Sequence, residues 1–383
     1  MLKSIRLVNF YSFRDSTIEL NNGANVLVGI NGSGKSNFFK AFELLNEAIH
    51  GKGLRRHILE LGGVNEILFQ GEREHDEISI ELTLSLPKLA YTIGESPIGE
   101  DISYYLTIVP TQTEYFLKEK LFSNSSIYLN RVDFDFNDKY IGEFKDKLEL
   151  YLGHIYRGPV FESSFTVIYT FLKLLSLYFS FDTRQESKMR KPSIAIPEQR
   201  LSSDGSNLTQ VLNTIKINDR KSYNNIIEAL KAVNPNFKSL DFRPFGTNFE
   251  MLLEEEGLNR SMHISKVSDG TLRYLCLMTI LLNPNKGFIC IDEPEMGLHP
   301  DMLLNLANAI KKASEENQIL ISTHSAQLLN YFSIEEVRVF EKDEENTTQV
   351  SAYTEEDFKG WYETFQVGNM WRQGDIGGNR YGS

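Results

Sequence analysis

Cysteine is scarce in this chain: Cys276 and Cys290 are the only two among 383 residues. Both stand in apolar runs, and their spacing matches no metal-ligand pattern. They read as small core residues of a protein kept in a reducing compartment. An apolar run long enough to span a bilayer is also lacking. The longest, around Phe165 to Phe181, contains Lys173 and several Ser, Thr and Tyr residues. No signal peptide is expected, because Lys3 and Arg6 interrupt the first residues and Asn9 follows. Positive charge falls short as well: 40 Lys and Arg against 52 Asp and Glu give a formal charge of −12. That argues against a uniformly basic nucleic-acid coat while leaving room for a local patch. Sustained heptads and internal repeats are absent, so no long coiled-coil arm is expected. These shortages predict a soluble cytoplasmic protein, and the length allows two domains with a sizeable core.

What the chain does have begins at Gly29-Ile30-Asn31-Gly32-Ser33-Gly34-Lys35-Ser36, which satisfies G-x-x-x-x-G-K-[ST]. The run before it, Ala24 to Val28, suits a buried strand. After it, Asn37 to Ile49 places Phe38, Phe39, Phe42, Leu45 and Ile49 at helical spacing. Strand, glycine-rich loop and helix are the context a phosphate-binding loop (Walker A) needs. Its glycines let backbone N–H groups turn toward β- and γ-phosphates at the positive end of the helix. In that setting Lys35 neutralises phosphate oxygens, and the Ser36 hydroxyl holds Mg²⁺.

Around this loop the pattern is mixed. Residues 1–20 suggest two strands joined at Tyr11-Ser12-Phe13, which with Val26 to Val28 form the edge of one sheet. Gly51 to Arg56 is a basic turn. Gln70, just before Gly71, stands where a Gln could touch Mg²⁺ and an attacking water, and a lone Gln before Gly is a weak signal. Strict alternation from Glu77 to Leu86 predicts a half-exposed strand, and Ile102–Val109 and Glu114–Leu121 extend the meander. Ser164 to Tyr178 reads as one buried helix, and Lys188 to Pro197 as an exposed connection. Ser206 or Asn207 caps a helix to Ile215, and Tyr223 to Val233 forms another. Strands at Phe237–Phe242 and Asn248–Leu253 are expected to return to the main body.

Four features then follow in order. Val267-Ser268-Asp269-Gly270-Thr271 opens an apolar helix, Leu272 to Leu282, as an ordinary N-cap or an anion site. Gly287 to Glu293 is a buried strand ending in two carboxylates. Asp292 can hold Mg²⁺ through water, and Glu293 can take a proton from water attacking a γ-phosphate. Pro294 to Pro300 is a tight loop before a helix over Asp301 to Ala313. Gln318 to Ile321 is a strand that delivers Ser322-Thr323-His324-Ser325, and from its tip His324 can reach a γ-phosphate.

Together, Gly29–Ser36, Val267–Thr271, Ile289–Glu293, Gly297–Pro300 and His324 resemble the ABC-type ATPases of the SMC and RecF group. Ile291 to Pro300, Ser322 to Ser325, Asp204-Gly205-Ser206-Asn207-Leu208 and Gly377-Gly378 are similar to a bacterial branch of RecF-like and OLD-like ATPases. Many of that branch are encoded in anti-phage defence operons. The resemblance implies an α/β ABC-ATPase head: a mixed sheet with flanking helices and no long coiled coil. The head would comprise 1–86 and 255–383, with an α+β insert over 87–254. It implies ATP and Mg²⁺ held by the loop through Asn37, with Ser36, Asp292 and Gln70 serving the metal. Glu293 would be the general base, aided by Lys35, and His324 the switch histidine. Ser268 and Gly270 would contact ATP bound to the opposite subunit of a head-to-tail homodimer. Asp269 stands where transporter signatures have Gly.

The expected function is an ATP-driven switch controlling a separate effector, a nuclease or toxin, with nucleic acid or phage as trigger and no membrane partner. One alternative is a self-contained OLD-like nuclease, which needs a second carboxylate cluster. Roughly sixty residues follow His324, and Asp343-Glu344-Glu345 within them reads as a hairpin turn. Asp133, Asp135 and Asp138 form the other candidate metal group. A RecF-like DNA-binding ATPase and a transporter's nucleotide-binding subunit are further alternatives. The tail from Trp361 to Ser383, with Met370-Trp371-Arg372 and Gly374, is either a partner-docking strip or a segment packed on its own subunit.

Overall fold

A computed structural model describes residues 1–85, 101–124, 126–132, 135–136, 148–152, 163–283, 287–358 and 366–377. Asp133, Asp138, Trp361 and Gly378 lie outside the described residues. The chain divides into two compact units: 1–175 with 334–358 and 373–383, and 176–333 with 359–372.

In the first unit, strand β1 (Leu2–Phe10) forms a hairpin with β2 (Phe13–Glu19). The six residues of β3 (Ala24–Gly29) are all buried, and it runs into helix α1 (Lys35–His50). Short helices α2 (Leu54–Glu60) and α3 (Val64–Ile67) follow. Next come β4 (Ile78–Ser85), β5 (Asp101–Pro110), β6 (Tyr115–Phe122), β7 (Ile127–Val132) and β8 (Asp135–Phe136). These make a seven-stranded antiparallel sheet in the order β2-β1-β4-β5-β6-β7-β8. Its alternation is as expected, with Ile78, Ile80, Leu82 and Leu84 buried. Helix α4 (Ser163–Leu174) packs against α1.

Contrary to expectation, β3 does not join the sheet of β1 and β2. It pairs in parallel with β16 (Val337–Lys342), which pairs with β17 (Thr348–Ala352). The reason is the pattern: a strand apolar on both faces suits an interior parallel position, whereas β1 and β2 alternate. The basic turn is mostly helical. Arg55 and Arg56 there pair with Glu114 and Glu60 on the surface.

Two inward positions of the meander, Glu119 and Arg131, are charged. Glu119 is buried and accepts hydrogen bonds from Arg131 Nη1, Tyr104 Oη and the Tyr151 amide, each at 2.8 Å. A buried ion pair of this kind is tolerated because the carboxylate's lone pairs are filled.

The second unit holds β9 (Leu175–Tyr178), β10 (Ser193–Ile194), helices α5 (Leu208–Asn218) and α6 (Arg220–Val233), and β11 (Phe237–Phe245). It continues with β12 (Asn248–Glu255), β13 (Met262–His263), helix α7 (Asp269–Leu281) and β14 (Phe288–Asp292). Helix α8 (Leu303–Ser314), β15 (Gln318–Ser322), α9 (Ala326–Leu329) and α10 (Val367–Gln373) complete it. Strands β14 and β15 are parallel, with Asp292 opposite Ser322.

Several expectations fail here. The helix expected to reach Tyr178 stops at Leu174, and Leu175–Tyr178 becomes a strand. Sheet pairing in the order β15-β14-β9 overrides local helical spacing. Strands β11 and β12 form a separate sheet with β10 and β13. The connection 188–197 is not wholly exposed: Met189 and Arg190 are buried, whereas Lys188, Lys191 and Ile194 to Pro197 are exposed. Asn207 is the N-cap of α5 but makes no side-chain cap bond; its Oδ1 accepts from the Ser202 amide at 2.8 Å instead. The described tail packs on its own unit through Val367, Met370 and Trp371, all buried. Among the described residues no helix is long and apolar enough to cross a membrane. The longest, α1, has 16 residues.

Candidate functional site

The phosphate loop lies in the first unit. Glycine is required at two points for definite reasons. A Cβ on Gly29 would stand 2.3 Å from the Phe340 carbonyl oxygen, because the loop leaves β3 tight against β16. Gly34 has φ 110°, and a Cβ there would meet Thr348 Oγ1 at 2.2 Å. The loop then feeds directly into α1, whose first-turn N–H groups point back over Gly32 to Gly34.

Lys35 is 6% exposed, and its ammonium sits among loop oxygens: Gly29 O at 2.8 Å, Ile30 O at 3.1 Å and Ser33 Oγ at 3.4 Å. Asn31, Gly32 and Ser36 face solvent. A brace that the sequence did not reveal supports the loop from behind. The buried Thr348 hydroxyl donates to Ser33 O at 2.9 Å and shares a second hydrogen bond with the Ser12 hydroxyl at 2.7 Å, and Asn37 Nδ2 donates to Ser12 Oγ at 3.0 Å. Gln70 is exposed, and its amide nitrogen donates to Asn65 O and Leu68 O, both at 2.9 Å. Its NH₂ group therefore closes its own turn.

Asp292 and Glu293 lie in the second unit, at the C-terminal ends of parallel β14 and β15. The Ser322 hydroxyl donates to Asp292 Oδ1 and also accepts from the Glu293 amide at 3.1 Å. Glu293 has φ 46°, a left-handed conformation costing roughly 1–3 kcal/mol in a residue with a Cβ. Strain of this kind persists where surrounding bonds fix it, as the Ser322 bond does here. The turn aims Glu293 Oε1 at His324 Nε2, 3.4 Å away. A cavity of about 20 Å³ borders Asp292, Glu293, Arg273 and Phe181. It has room for about one water.

Glu295 was not singled out from the sequence, yet it fixes the histidine segment. Its Oε1 accepts from Thr323 Oγ1 at 2.5 Å and from the His324 amide at 3.1 Å. Its Oε2 is buried without a hydrogen-bond partner among the described residues. Burial holds this carboxyl above the ordinary value of 4.5. The nearby acid-rich spelling Asp292-Glu293-Pro294-Glu295 was the available signal.

Ser268 caps α7, accepting from the Thr271 amide at 3.2 Å. Gly270 lies close to the Gly297 segment, where a Cβ would approach the Gly297 carbonyl oxygen to 3.0 Å. The segments 267–271 and 294–300, separate in sequence, are therefore in contact. Both cysteines are fully buried free thiols whose ionisation burial pushes up, as the sequence implied. Among the described residues no group of three or more His, Cys, Asp or Glu side chains stands together as a metal site.

With this geometry in place, comparison with known proteins is informative. The family described as "AAA domain, putative AbiEii toxin, Type IV TA system" matches residues 24–330. The chain belongs to this family. Over 373 residues it is 22% identical to a Helicobacter pylori protein named ATP/GTP phosphatase, covering 93% of each chain. Over 102 residues it is 33% identical to the DNA double-strand break repair Rad50 ATPase of Archaeoglobus fulgidus, covering 27% of this chain and 10% of that one. A crystal structure of an Smc head bound to the C-winged helix domain of ScpA superposes with a TM-score of 0.59 at 14% identity. That match covers 93% of this chain and 99% of the other, and it shows the fold. This AAA-family chain is thus an ATPase with the mixed α/β head fold of SMC proteins.

Proposed function

We propose that this ATPase is a molecular switch: two copies close head to tail around two ATP molecules, and hydrolysis reopens them. The observation that carries this reading is the pair Glu293 and His324. A strained carboxylate faces an imidazole at 3.4 Å, beside a water-sized cavity and at the tips of two parallel strands.

In this reading the loop residues Gly29, Asn31, Gly32, Ser33, Gly34, Lys35, Ser36 and Asn37 hold the triphosphate. We assign the oxygen donors for Mg²⁺ to Ser36, Asp292 and the Gln70 side chain, each a hard ligand of the kind this ion takes. Bound Mg²⁺ would neutralise charge on the β- and γ-oxygens. Glu293 takes the proton of the attacking water, and His324 contacts the γ-phosphate. Ser268 and Gly270 serve the nucleotide of the opposite copy. Residues 1–86 and 255–383 form the head, and 87–254 are an insert that works with the partner.

The Helicobacter pylori relative's name covers GTP as well as ATP, so both nucleotides are assayed. The family's description, "AAA domain, putative AbiEii toxin, Type IV TA system", supports a place in defence, and we assign the chain to the OLD-like and RecF-like branch on its motifs. We assign a separate effector, a nuclease or toxin, to its output, and nucleic acid or a phage product to its trigger. The setting is cytoplasmic.

Glu293→Gln tests the core of this. Nucleotide binding is expected to persist, phosphate release to fall about 100-fold or more, and ATP to trap a dimer visible by light scattering. Wild-type turnover in that variant would remove Glu293 from the role.

A further inference from the structure

The segment 264–269 ahead of α7 is held from inside by one side chain that lies 77 residues before Val267. Arg190 is 4% exposed. Its Nε donates to Thr183 O at 2.8 Å. Its Nη1 donates to Ile264 O and Ser265 O, both at 3.2 Å, and to Val267 O at 2.7 Å. Its Nη2 meets Asp269 Oδ1 at 2.6 Å. One guanidinium therefore takes four backbone carbonyls and one carboxylate, with its planar fork filled on both edges.

Two consequences follow. Three carbonyls of the segment are turned inward, which fixes the backbone that presents Ser268 at the start of α7. Ile264 O also accepts from the Val267 amide and Ser265 O from Gln185 Nε2, both at 3.1 Å, so the carbonyl that depends on Arg190 is Val267 O, directly before Ser268, and without the guanidinium the backbone there would have to rearrange. The second consequence is electrostatic. Asp269 is the first residue of α7, so its carboxylate would compete with any phosphate for the helix's positive end. Arg190 draws one oxygen of that carboxylate aside and cancels its charge.

We infer that Arg190 is a positioning residue for the ATPase reaction, a clamp that shapes the Ser268 segment and neutralises Asp269 so that this helix start accepts a phosphate. The inference rests on the reading in which Ser268 serves a nucleotide.

The test uses full-length Arg190→Lys, which keeps the charge but loses the fork, and Arg190→Ala with and without Asp269→Asn. Fluorescent ATP-analogue binding, kcat and thermal melting are measured for each. Arg190→Lys is expected to bind the analogue within about twofold of wild type and lose about tenfold in kcat. Arg190→Ala is expected to lose about 100-fold in kcat. Adding Asp269→Asn should recover about tenfold of that, a rescue that a purely structural defect would not show. Wild-type kcat in Arg190→Lys, no recovery by Asp269→Asn, or loss of analogue binding in step with kcat would each overturn the clamp. Ser268→Arg separates the two readings. If it abolishes turnover while Arg190→Lys stays wild type, only the clamp fails. If Ser268→Arg itself turns over normally, the reading beneath it fails.

Discussion

The phosphate loop and the segment before α7 are both short stretches leading into helices, but they are shaped differently. The phosphate loop carries the residues for its shape in its own sequence: its lysine bonds to carbonyls five and six residues back, and glycine stands at the two points where Phe340 and Thr348 press close. The segment 264–269 borrows its shape from Arg190, far away in sequence. A loop of the first kind announces itself in eight consecutive residues. One of the second kind looks like a plain helix cap until the fold is known.

The sharpest way to break this contrast is Lys35→Ala. Removing a buried charge whose partners are loop oxygens should lower nucleotide affinity by about 100-fold or more. The fold elsewhere should hold, with an unchanged circular dichroism spectrum. Retained affinity in an equilibrium binding assay would mean that the loop does not bind phosphate through its lysine.

A smaller effect shows how complete the loop's independence is. In Gly34→Ala the new methyl meets Thr348 Oγ1 and must also adopt φ 110°. Combining it with Thr348→Ala makes space but leaves the backbone penalty of roughly 1–3 kcal/mol. The double variant should therefore melt above Gly34→Ala alone and still below wild type. Full recovery would show that the conflict is purely steric and that β17, not the loop, dictates Gly34.

The same division explains what could be read from the sequence. Gly29–Ser36, the strand into Asp292-Glu293, and the strand into His324 were legible because each is a contiguous motif on a strongly patterned element. Most strands and helices were legible for the same reason. Arg190, Glu295, Ser322 and Thr348 were not, because tertiary contacts alone give them partners. Arg190 lay in a stretch whose two prolines and basic residues read as solvent-exposed. The strand Leu175–Tyr178 was hidden by a helical stripe that continues unbroken from the preceding helix, and only pairing with β14 distinguishes it. The Glu119–Arg131 pair was equally invisible, since alternation marks an inward position without saying that a charge will occupy it.

The smallest expected effect concerns Glu295, which belongs with Arg190 among the remote supports. Its carboxyl is raised by burial, so the fold favours the protonated form. From about pH 4.5 upward the unfolded chain releases this proton while the folded chain keeps it. Stability contributed by this group is therefore whole below the ordinary value and declines as the pH rises through the folded-state value. Glu295→Gln keeps an acceptor for Thr323 Oγ1 and the His324 amide but cannot ionise. The gap in melting temperature, variant minus wild type, should accordingly grow in the variant's favour between pH 5 and pH 8, by an amount on the order of a few degrees at most. Because the histidine segment keeps both hydrogen bonds, kcat at neutral pH should change by less than about threefold. A gap that stays flat or shrinks with rising pH would show that Glu295 is ionised in the folded protein, with its second oxygen solvated rather than enclosed.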